Sequence, residues 1–198
     1  MFETITIITD GRGVATLTLN RPDKHNALSG LMIDEVTRAA GLLDRDPAVR
    51  VVVLAATGRS FCAGGDLGWM QAQIDADGAT RAAEARKLAD MLGAVNRLSK
   101  PVIARVQGNA FGGGVGLCCV CDMTLASKDA KFGLTETKLG LIPATIGPYV
   151  LARMGEGRAR QVFMSSRIFD ALEAETLGIV SNTVRPEDLD ACVEDEIT

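Results

Sequence analysis

Two glycine-rich segments hold the residue types best placed to do chemistry in this sequence. Gly64 and Gly65 follow the apolar run Val51–Ala55, and Gly112–Gly114 follow the apolar run Val102–Val106. A strand, a glycine turn and a helix start leave backbone N–H groups without intrahelical partners, and such groups favour negative charge. We predict that the two segments converge as a pair of donors on one oxygen, an oxyanion hole. Tight helix–strand packing through small residues is the alternative, and the pattern alone does not separate the two.

Two phosphate-binding interpretations of the second segment fit less well. A P-loop needs Gly-Lys-Ser/Thr after its glycines, whereas here Gly114 is followed by Val115. A dinucleotide fingerprint needs glycines spaced as G-x-G-x-x-G, and counting from Gly112 the last position is Leu117.

A single carboxylate, Glu136, is the candidate for proton transfer. It lies between apolar residues and glycines in the segment Phe132–Pro143. Desolvation there would raise its pKa and suit it to proton exchange near neutral pH, although a surface pair with Lys138 is the alternative. A second charged segment, Leu19–Leu28, could form the edge of an anionic ligand site or be a solvated loop.

Composition excludes several classes of function. The chain has 198 residues, a formal net charge of −4 and 4% aromatic residues, without a basic stripe, which argues against nucleic acid as a partner. Its one histidine, His25, excludes multi-histidine metal sites, and its five cysteines have apolar flanks that favour buried free thiols. Neither a signal peptide nor a run of about 18 apolar residues is present. We expect a cytoplasmic protein without a metal or a membrane segment.

Strand-like and helix-like runs alternate along the chain and predict an α/β fold with crossover connections. The predicted strands are Phe2–Thr9 and Val14–Asn20, paired as a hairpin, then Val51–Ala55, Val102–Val106, Cys121–Ala126 and Gly178–Val184. The predicted helices follow Ser29 and cover 79–98, 112–119, 149–154 and 158–165. The chain is expected to form one core over residues 1–184, and residues 185–198 begin a helix that stops without a cap.

Taken together and in order, four segments resemble the enoyl-CoA hydratase/isomerase (crotonase) family. They are Asn20-Arg21-Pro22 with Asn26-Ala27-Leu28, then Phe61–Leu67, Asn109–Gly114 and Phe132–Pro143. The resemblance covers Ile5 to about Val184. It implies a ββα spiral core, a homotrimer or hexamer, and acyl-CoA thioesters as substrates, with no cofactor beyond the coenzyme A of the substrate. It also implies that a C-terminal helical part, begun at residues 185–198, is missing.

The resemblance assigns roles position by position. The N–H groups of Gly65 and Gly113 match the donors that hold the thioester carbonyl. Glu136 matches one of two catalytic glutamates, and Gly116 stands in the place of the other. Six further residues match the coenzyme A site: Lys24, His25 and Asn26 at the adenosine end, and Ala63, Asp66 and Leu67 at the pantetheine–thioester junction.

The activity depends on how Gly116 is interpreted. One carboxylate suffices to move a proton between carbons, so Gly116 alone favours an isomerase. The run Gly133–Val150, however, looks like the bacterial methylglutaconyl-CoA hydratase branch, whose members also lack the glutamate at the position of Gly116. We therefore rank a hydratase first, with methylglutaconyl-CoA in leucine degradation as a candidate substrate. The alternatives are an enoyl-CoA isomerase and a catalytically silent acyl-CoA-binding or RNA-associated scaffold.

Overall fold

A six-stranded sheet forms the base of the fold. The structure, a computed structural model, describes residues 1–198. The strands lie in the order β1 (Ile5–Thr9), β2 (Val14–Leu19), β3 (Val51–Ala56), β5 (Val102–Val106), β7 (Met123–Ser127) and β10 (Asn182–Val184). Only β1 and β2 pair antiparallel, as the predicted hairpin, and every other neighbouring pair is parallel. The α/β architecture predicted from the sequence is confirmed.

A second, four-stranded sheet was not predicted. Its strands are three residues each and lie in the order β4 (Ser60–Cys62), β6 (Asn109–Phe111), β8 (Lys131–Gly133) and β9 (Ile168–Asp170). Strands β4, β6 and β8 each follow a long strand of the first sheet, and they pair with one another in parallel. Parallel strands end at the same edge of a sheet, so the residues that follow Cys62, Phe111 and Gly133 emerge side by side.

Eight helices cover the sheets. They are α1 (Gly30–Arg45), α2 (Leu67–Asp75), α3 (Gly78–Asn96), α4 (Gly113–Val120), α5 (Gly147–Met154), α6 (Glu156–Phe163), α7 (Ala171–Leu177) and α8 (Leu189–Ile197). Ser29 caps α1 by accepting a hydrogen bond from the Met32 N–H, and Asp77 caps α3 through the Thr80 N–H. The predicted helices are therefore present, with ends shifted by a few residues.

Helix α4 is buried along its whole length and lies within the main core of 45 buried residues. All five cysteines are free thiols and four of them are buried, as predicted. Burial raises the pKa of the Cys119 thiol on this helix to about 12. Thiols react as thiolates, so these cysteines are packing groups.

The end of the chain departs from the predicted strand Gly178–Val184. Only Asn182–Val184 forms β10, because Gly178 takes a left-handed conformation (φ 86°) that ends α7, and Ile179 then donates its N–H to the Ala174 carbonyl. Helix α8 follows and packs Leu189 and Val193 against one face of the first sheet. No helix of the structure combines the length and apolarity that crossing a bilayer requires.

One buried carboxylate fastens the first strand to α1. Glu35 is only 4% exposed and accepts hydrogen bonds from the Glu3 N–H and Thr4 N–H, both at 2.8 Å, and from the Thr4 hydroxyl at 2.6 Å. Burial raises the pKa of the Glu35 carboxyl, but the hydrogen bonds from Thr4 and Glu3 outweigh it and the net pKa is lowered. The ionised form is therefore the one that the fold stabilises.

We expect Glu35→Gln to lower the free energy of unfolding by about 1–3 kcal/mol at pH 7, since two backbone donors then face an amide instead of a carboxylate. A carboxyl whose pKa is lowered by folding stabilises the protein above its unfolded-state pKa and loses that contribution as the pH falls through the folded-state pKa. The difference between wild type and variant should shrink between pH 7 and about pH 3 in urea denaturation. Glu3→Gln, at an exposed side chain, is the matched control and should stay close to wild type. An equal loss in both variants would refute the role of Glu35.

Candidate active site

The three segments that emerge from the short sheet meet in one cavity. Its volume is about 420 Å³, and Gly65, Gly113 and Glu136 all line it. Leu28, at the end of the charged segment before α1, lies in the same wall. Ten of the 17 lining residues are hydrophobic, so the cavity is an apolar space with a few polar groups.

The N–H groups of Gly65 and Gly113 are free to bind a ligand. Around Gly65, the Leu28 N–H donates to the Gly64 carbonyl at 2.8 Å and the Asp66 N–H donates to the Leu28 carbonyl at 3.0 Å, while the Gly65 N–H between them has no acceptor. Gly113 is the first residue of α4, where an N–H has no intrahelical partner. Neither N–H donates a hydrogen bond within the chain.

Close approach explains the glycine at position 112. Gly112 has φ 48°, in the region that side chains rarely adopt, and its N–H donates to the Gly133 carbonyl at 2.9 Å. A Cβ at this position would stand 2.9 Å from Oε1 of Glu136. The carboxyl group therefore lies directly against the backbone that leads into α4.

Glu136 is half-buried and incompletely paired. It begins a short 3-10 turn, Glu136–Leu139, which ends at Gly140 in a left-handed conformation. Its Oε2 atom is buried and has no hydrogen-bond partner, and it forms no ion pair with Lys138. Burial raises the pKa of the Glu136 carboxyl, which its own backbone N–H offsets only in part. The carboxyl is thus poised to exchange protons with a molecule in the cavity.

Gly116 does not line the cavity. It lies one turn along α4, where a Cβ would stand 2.6 Å from Cγ2 of Ile146 and 3.6 Å from Cδ2 of Leu92. Ile146 is 3% exposed and occupies the space beside Gly116. Glu136 is the one carboxylate among the lining residues, and no acidic side chain from another segment takes the place of a second.

The predicted coenzyme A residues belong to the two loops that carry Leu28 and Gly65, but none of them lines the cavity. Lys24 and Ala63 are exposed, and the Ala63 N–H donates to the His25 carbonyl at 3.0 Å. His25 lies 3.0 Å from the Ser60 hydroxyl through Nδ1. Asn26 is fully buried, and its amide NH₂ donates to the Thr57 and Ser60 carbonyls while its oxygen accepts from the Arg21 N–H.

Asp66 positions the Gly65 loop. Its carboxylate caps α2 by accepting from the Gly68 and Trp69 N–H groups and forms a 3.1 Å ion pair with Arg21. Burial raises the pKa of this carboxyl, yet the hydrogen bonds and Arg21 outweigh it and the net pKa is lowered. Leu67, the next residue, is 78% exposed. Arg21 was not predicted as a site residue, because its distance from Asp66 in the sequence does not indicate that the two side chains pair.

Most of the cavity wall could not be predicted from the sequence. That wall comes from α2, α3 and the segment after the 3-10 turn, and its residues are Trp69, Met70, Gln73, Ile74, Arg81, Ala85, Leu88, and 141–146. Arg81, Ala85 and Leu88 share one face of α3 through their spacing of four and three residues. Trp69 ties α2 to α3 by donating its indole N–H to Glu84 at 3.0 Å. No group of three or more His, Cys, Asp or Glu side chains lies in position to hold a metal ion.

Comparison with known proteins places these features in a family. The sequence model described as enoyl-CoA hydratase/isomerase matches residues 9–194. A probable enoyl-CoA hydratase of Rhizobium meliloti is 41% identical over 192 residues, which are 95% of this chain and 71% of that protein. A crotonyl-CoA hydratase of Syntrophomonas wolfei is 37% identical, over 89% of this chain and 67% of its own. The chain belongs to the enoyl-CoA hydratase/isomerase family.

Solved structures agree with this assignment. An enoyl-CoA hydratase from Shewanella pealeana superposes with a TM-score of 0.95 at 39% identity, covering 99% of this chain and 73% of that one. One from Mycobacterium smegmatis superposes at 0.94 with 37% identity, over 98% of this chain and 75% of its own. The crotonase-like ββα fold expected from the resemblance is confirmed.

We expect Gly116→Ala to lower the free energy of unfolding by about 1–3 kcal/mol, because the added methyl group overlaps Ile146. Ile146→Ala removes the Cγ2 atom it would meet, so Gly116→Ala should cost less in that background. Chemical denaturation of the single and double variants measures this coupling. Gly157→Ala on α6, where nothing lies within 4 Å of the new atom, is the control and should not destabilise the protein. Strict additivity of the two substitutions would show that the contact is unimportant.

We expect Glu136→Gln to stabilise the protein at pH 7–8. A carboxyl whose pKa is raised by folding favours the native state below its unfolded-state pKa, and this contribution is lost as the pH rises through the folded-state pKa. At pH 8 the buried carboxyl of wild type is ionised at a cost in stability, whereas the amide of Gln stays neutral. In thermal denaturation the variant should therefore be more stable than wild type at pH 8, and the difference should vanish near pH 4. Glu156→Gln, at an exposed residue of α6, should show no comparable change between the two pH values. A variant less stable than wild type at pH 8 would contradict this account.

Proposed function

We propose that this protein is an enoyl-CoA hydratase that adds water across the conjugated double bond of a 2-enoyl-CoA thioester, with Glu136 as acid and base. The observation that carries the proposal is the meeting of three groups in one apolar cavity. They are the Glu136 carboxyl, whose Oε2 has no hydrogen-bond partner, and the N–H groups of Gly65 and Gly113, which have no acceptor. Names of relatives, such as the crotonyl-CoA hydratase, support the reaction class.

The two glycine N–H groups would form the oxyanion hole. When a nucleophile adds to C3 of a 2-enoyl thioester, an electron pair moves from the double bond onto the thioester oxygen. Donors fixed where that charge develops stabilise the transition state by about 3 kcal/mol each. Gly113 adds the positive end of α4 to this field, because it opens that helix.

One carboxylate can complete the reaction in two proton transfers. Ionised Glu136 takes a proton from water while the water oxygen bonds to C3, which leaves an enolate on the thioester. The protonated carboxyl then gives that proton to C2, the enolate collapses to the thioester, and Glu136 returns to its ionised form. Water is thereby added in full, its hydroxyl on C3 and its proton on C2. Burial that raises the pKa of Glu136 makes its carboxylate a stronger base for taking the proton from water.

Coenzyme A enters this scheme as part of the substrate, and no further cofactor is required. The exposed Lys24 and Ala63 belong to loops that reach Leu28 and Gly65, which is consistent with the proposed binding of the nucleotide end and the pantetheine arm there. His25, Asp66 and Leu67 belong to the same proposed surface, and Asn26 would support it from within the fold. A homotrimer or hexamer, a cytoplasmic location and methylglutaconyl-CoA as the physiological substrate complete the proposal.

An enoyl-CoA isomerase is the second candidate. The observation that favours it is the absence of a second carboxylate in the cavity wall, where Ile146 fills the space beside Gly116. In that reaction Glu136 would take a proton from C2 of a 3-enoyl thioester and return it to C4. The oxyanion hole would be the same. Supplying a 2-enoyl and a 3-enoyl thioester separately distinguishes the reactions, because only a hydratase forms the 3-hydroxy product from the 2-enoyl substrate.

We expect Glu136→Gln to lower kcat for hydration of crotonyl-CoA by at least about 100-fold, since general acid–base catalysis contributes a factor of this size or more. Loss of the thioester's absorbance at the conjugated double bond follows the reaction. In wild type, kcat/KM should also fall at acid pH with an apparent pKa above that of an ordinary glutamate, as burial of Glu136 requires. Lys138→Gln, two residues away on the exposed side of the turn, is the control and should retain activity.

Two outcomes would overturn the proposal. Near-normal hydration by Glu136→Gln would remove the assigned acid and base. Tight binding of crotonyl-CoA by wild type without turnover of any enoyl thioester would instead support the silent acyl-CoA-binding scaffold.

A further inference from the structure

The apolar cavity contains one side chain with a permanent positive charge, that of Arg81. Among the lining residues only Arg81 and Glu136 can be charged, and Glu136 is the proposed acid and base. The Arg81 side chain has neither an ion pair nor a hydrogen bond within the chain, and its backbone N–H donates to the Asp77 carbonyl at 3.0 Å. An unpaired guanidinium beside an apolar wall therefore lacks a counter-charge.

Nearby acidic side chains are already engaged elsewhere. Glu84, one turn along α3, accepts the Trp69 indole N–H and pairs with Lys87 at 2.7 Å. Asp77 accepts the Thr80 N–H at 2.7 Å as the helix cap, and Asp75 accepts from the Gln71 amide at 3.1 Å. No acidic side chain of the protein therefore pairs with Arg81, and its guanidinium is available to an anionic group of a molecule in the cavity.

The position of Arg81 along α3 places it at the outer end of the cavity wall. Arg81, Ala85 and Leu88 lie on one helix face, where Leu88 packs against the main core and Arg81 is exposed. Seven residues of helix separate the two ends by about 10 Å. This distance is the length scale of a short acyl chain.

A second polar group points to the same kind of ligand. Gln73, on α2, also lines the cavity, and its side-chain oxygen is buried without a hydrogen-bond partner. A side-chain amide can turn to donate through its NH₂, and a carboxylate accepts hydrogen bonds from both amides and guanidinium groups. The wall formed by α2 and α3 thus offers an anion a cation and an amide in otherwise apolar surroundings.

We infer that Arg81 is a specificity residue that selects 2-enoyl-CoA substrates whose acyl chain ends in a carboxylate, over chains of equal length that end in a methyl group. Planar guanidinium groups bind carboxylates through two parallel hydrogen bonds, which a lysine cannot reproduce. This inference rests on the proposed hydratase function and defines the class of acyl chain that it accepts.

The test compares glutaconyl-CoA, a five-carbon 2-enoyl thioester with a terminal carboxylate, with 2-pentenoyl-CoA. Wild type should hydrate glutaconyl-CoA with a kcat/KM at least about tenfold higher. Arg81→Gln should lower kcat/KM for glutaconyl-CoA by about 10- to 100-fold, the usual range for a hydrogen-bonded charge, and leave 2-pentenoyl-CoA within about twofold. Arg81→Lys should recover part of the selectivity. Arg86→Gln, at an exposed α3 residue outside the cavity, is the matched control and should change neither substrate.

Several results would overturn the inference. A wild-type preference for 2-pentenoyl-CoA would do so, as would an equal loss on both substrates in Arg81→Gln, which would assign Arg81 to the shared coenzyme A part or to the fold. If neither thioester is hydrated, the hydratase proposal fails, and calorimetric binding of the saturated thioesters glutaryl-CoA and pentanoyl-CoA then decides on Arg81 separately. Tighter binding of glutaryl-CoA that is lost in Arg81→Gln supports the inference, and equal binding refutes it.

Discussion

Parallel pairing of three very short strands is the interaction on which the site depends. Strands β4, β6 and β8 contribute only a few backbone hydrogen bonds, but their pairing aligns the chain just before Gly64, Gly112 and Glu136. The six-stranded sheet and the helices supply the core that holds these strands in place, since an isolated sheet of this size would not be stable. Because each short strand follows a long one, the ββα repeat delivers three distant parts of the chain to one edge.

At that edge, the Glu136 carboxylate lies against the backbone of Gly112. Position 112 favours glycine because its backbone has a positive φ and Glu136 approaches it, and Glu136 is partly shielded from water by the same packing. Free N–H groups at Gly65 and Gly113 and an unpaired Oε2 on Glu136 are polar groups that folding leaves unsatisfied. Unsatisfied groups of this kind cost stability, and they are found where a protein keeps hydrogen-bonding capacity for a ligand.

The parts of the structure that local patterns determine could be predicted from the sequence. The buried run at β3, the capped start of α1 and the glycine turns each depend on neighbouring residues, and the motifs that contain Gly65, Gly113 and Glu136 are local too. Three-residue strands such as β4 show no periodicity, so they could not be predicted. The filling of the Gly116 site by Ile146 and the exposure of Arg81 to the cavity depend on contacts between segments far apart in the chain, which a single sequence does not reveal.

The buried thiols of α4 allow local opening of the helix that carries Gly113 to be followed in the intact protein. Cys118 and Cys119 are sealed in the core, and burial raises the pKa of both thiols, so a thiol reagent can reach them only when the packing around α4 opens. The rate at which a reagent labels these two thiols therefore measures how often the packing around α4 opens, and no added probe is needed. A ligand that binds at the first turn of α4 should lower the labelling rate, and a tighter ligand should lower it more, since the ligand binds only the closed form.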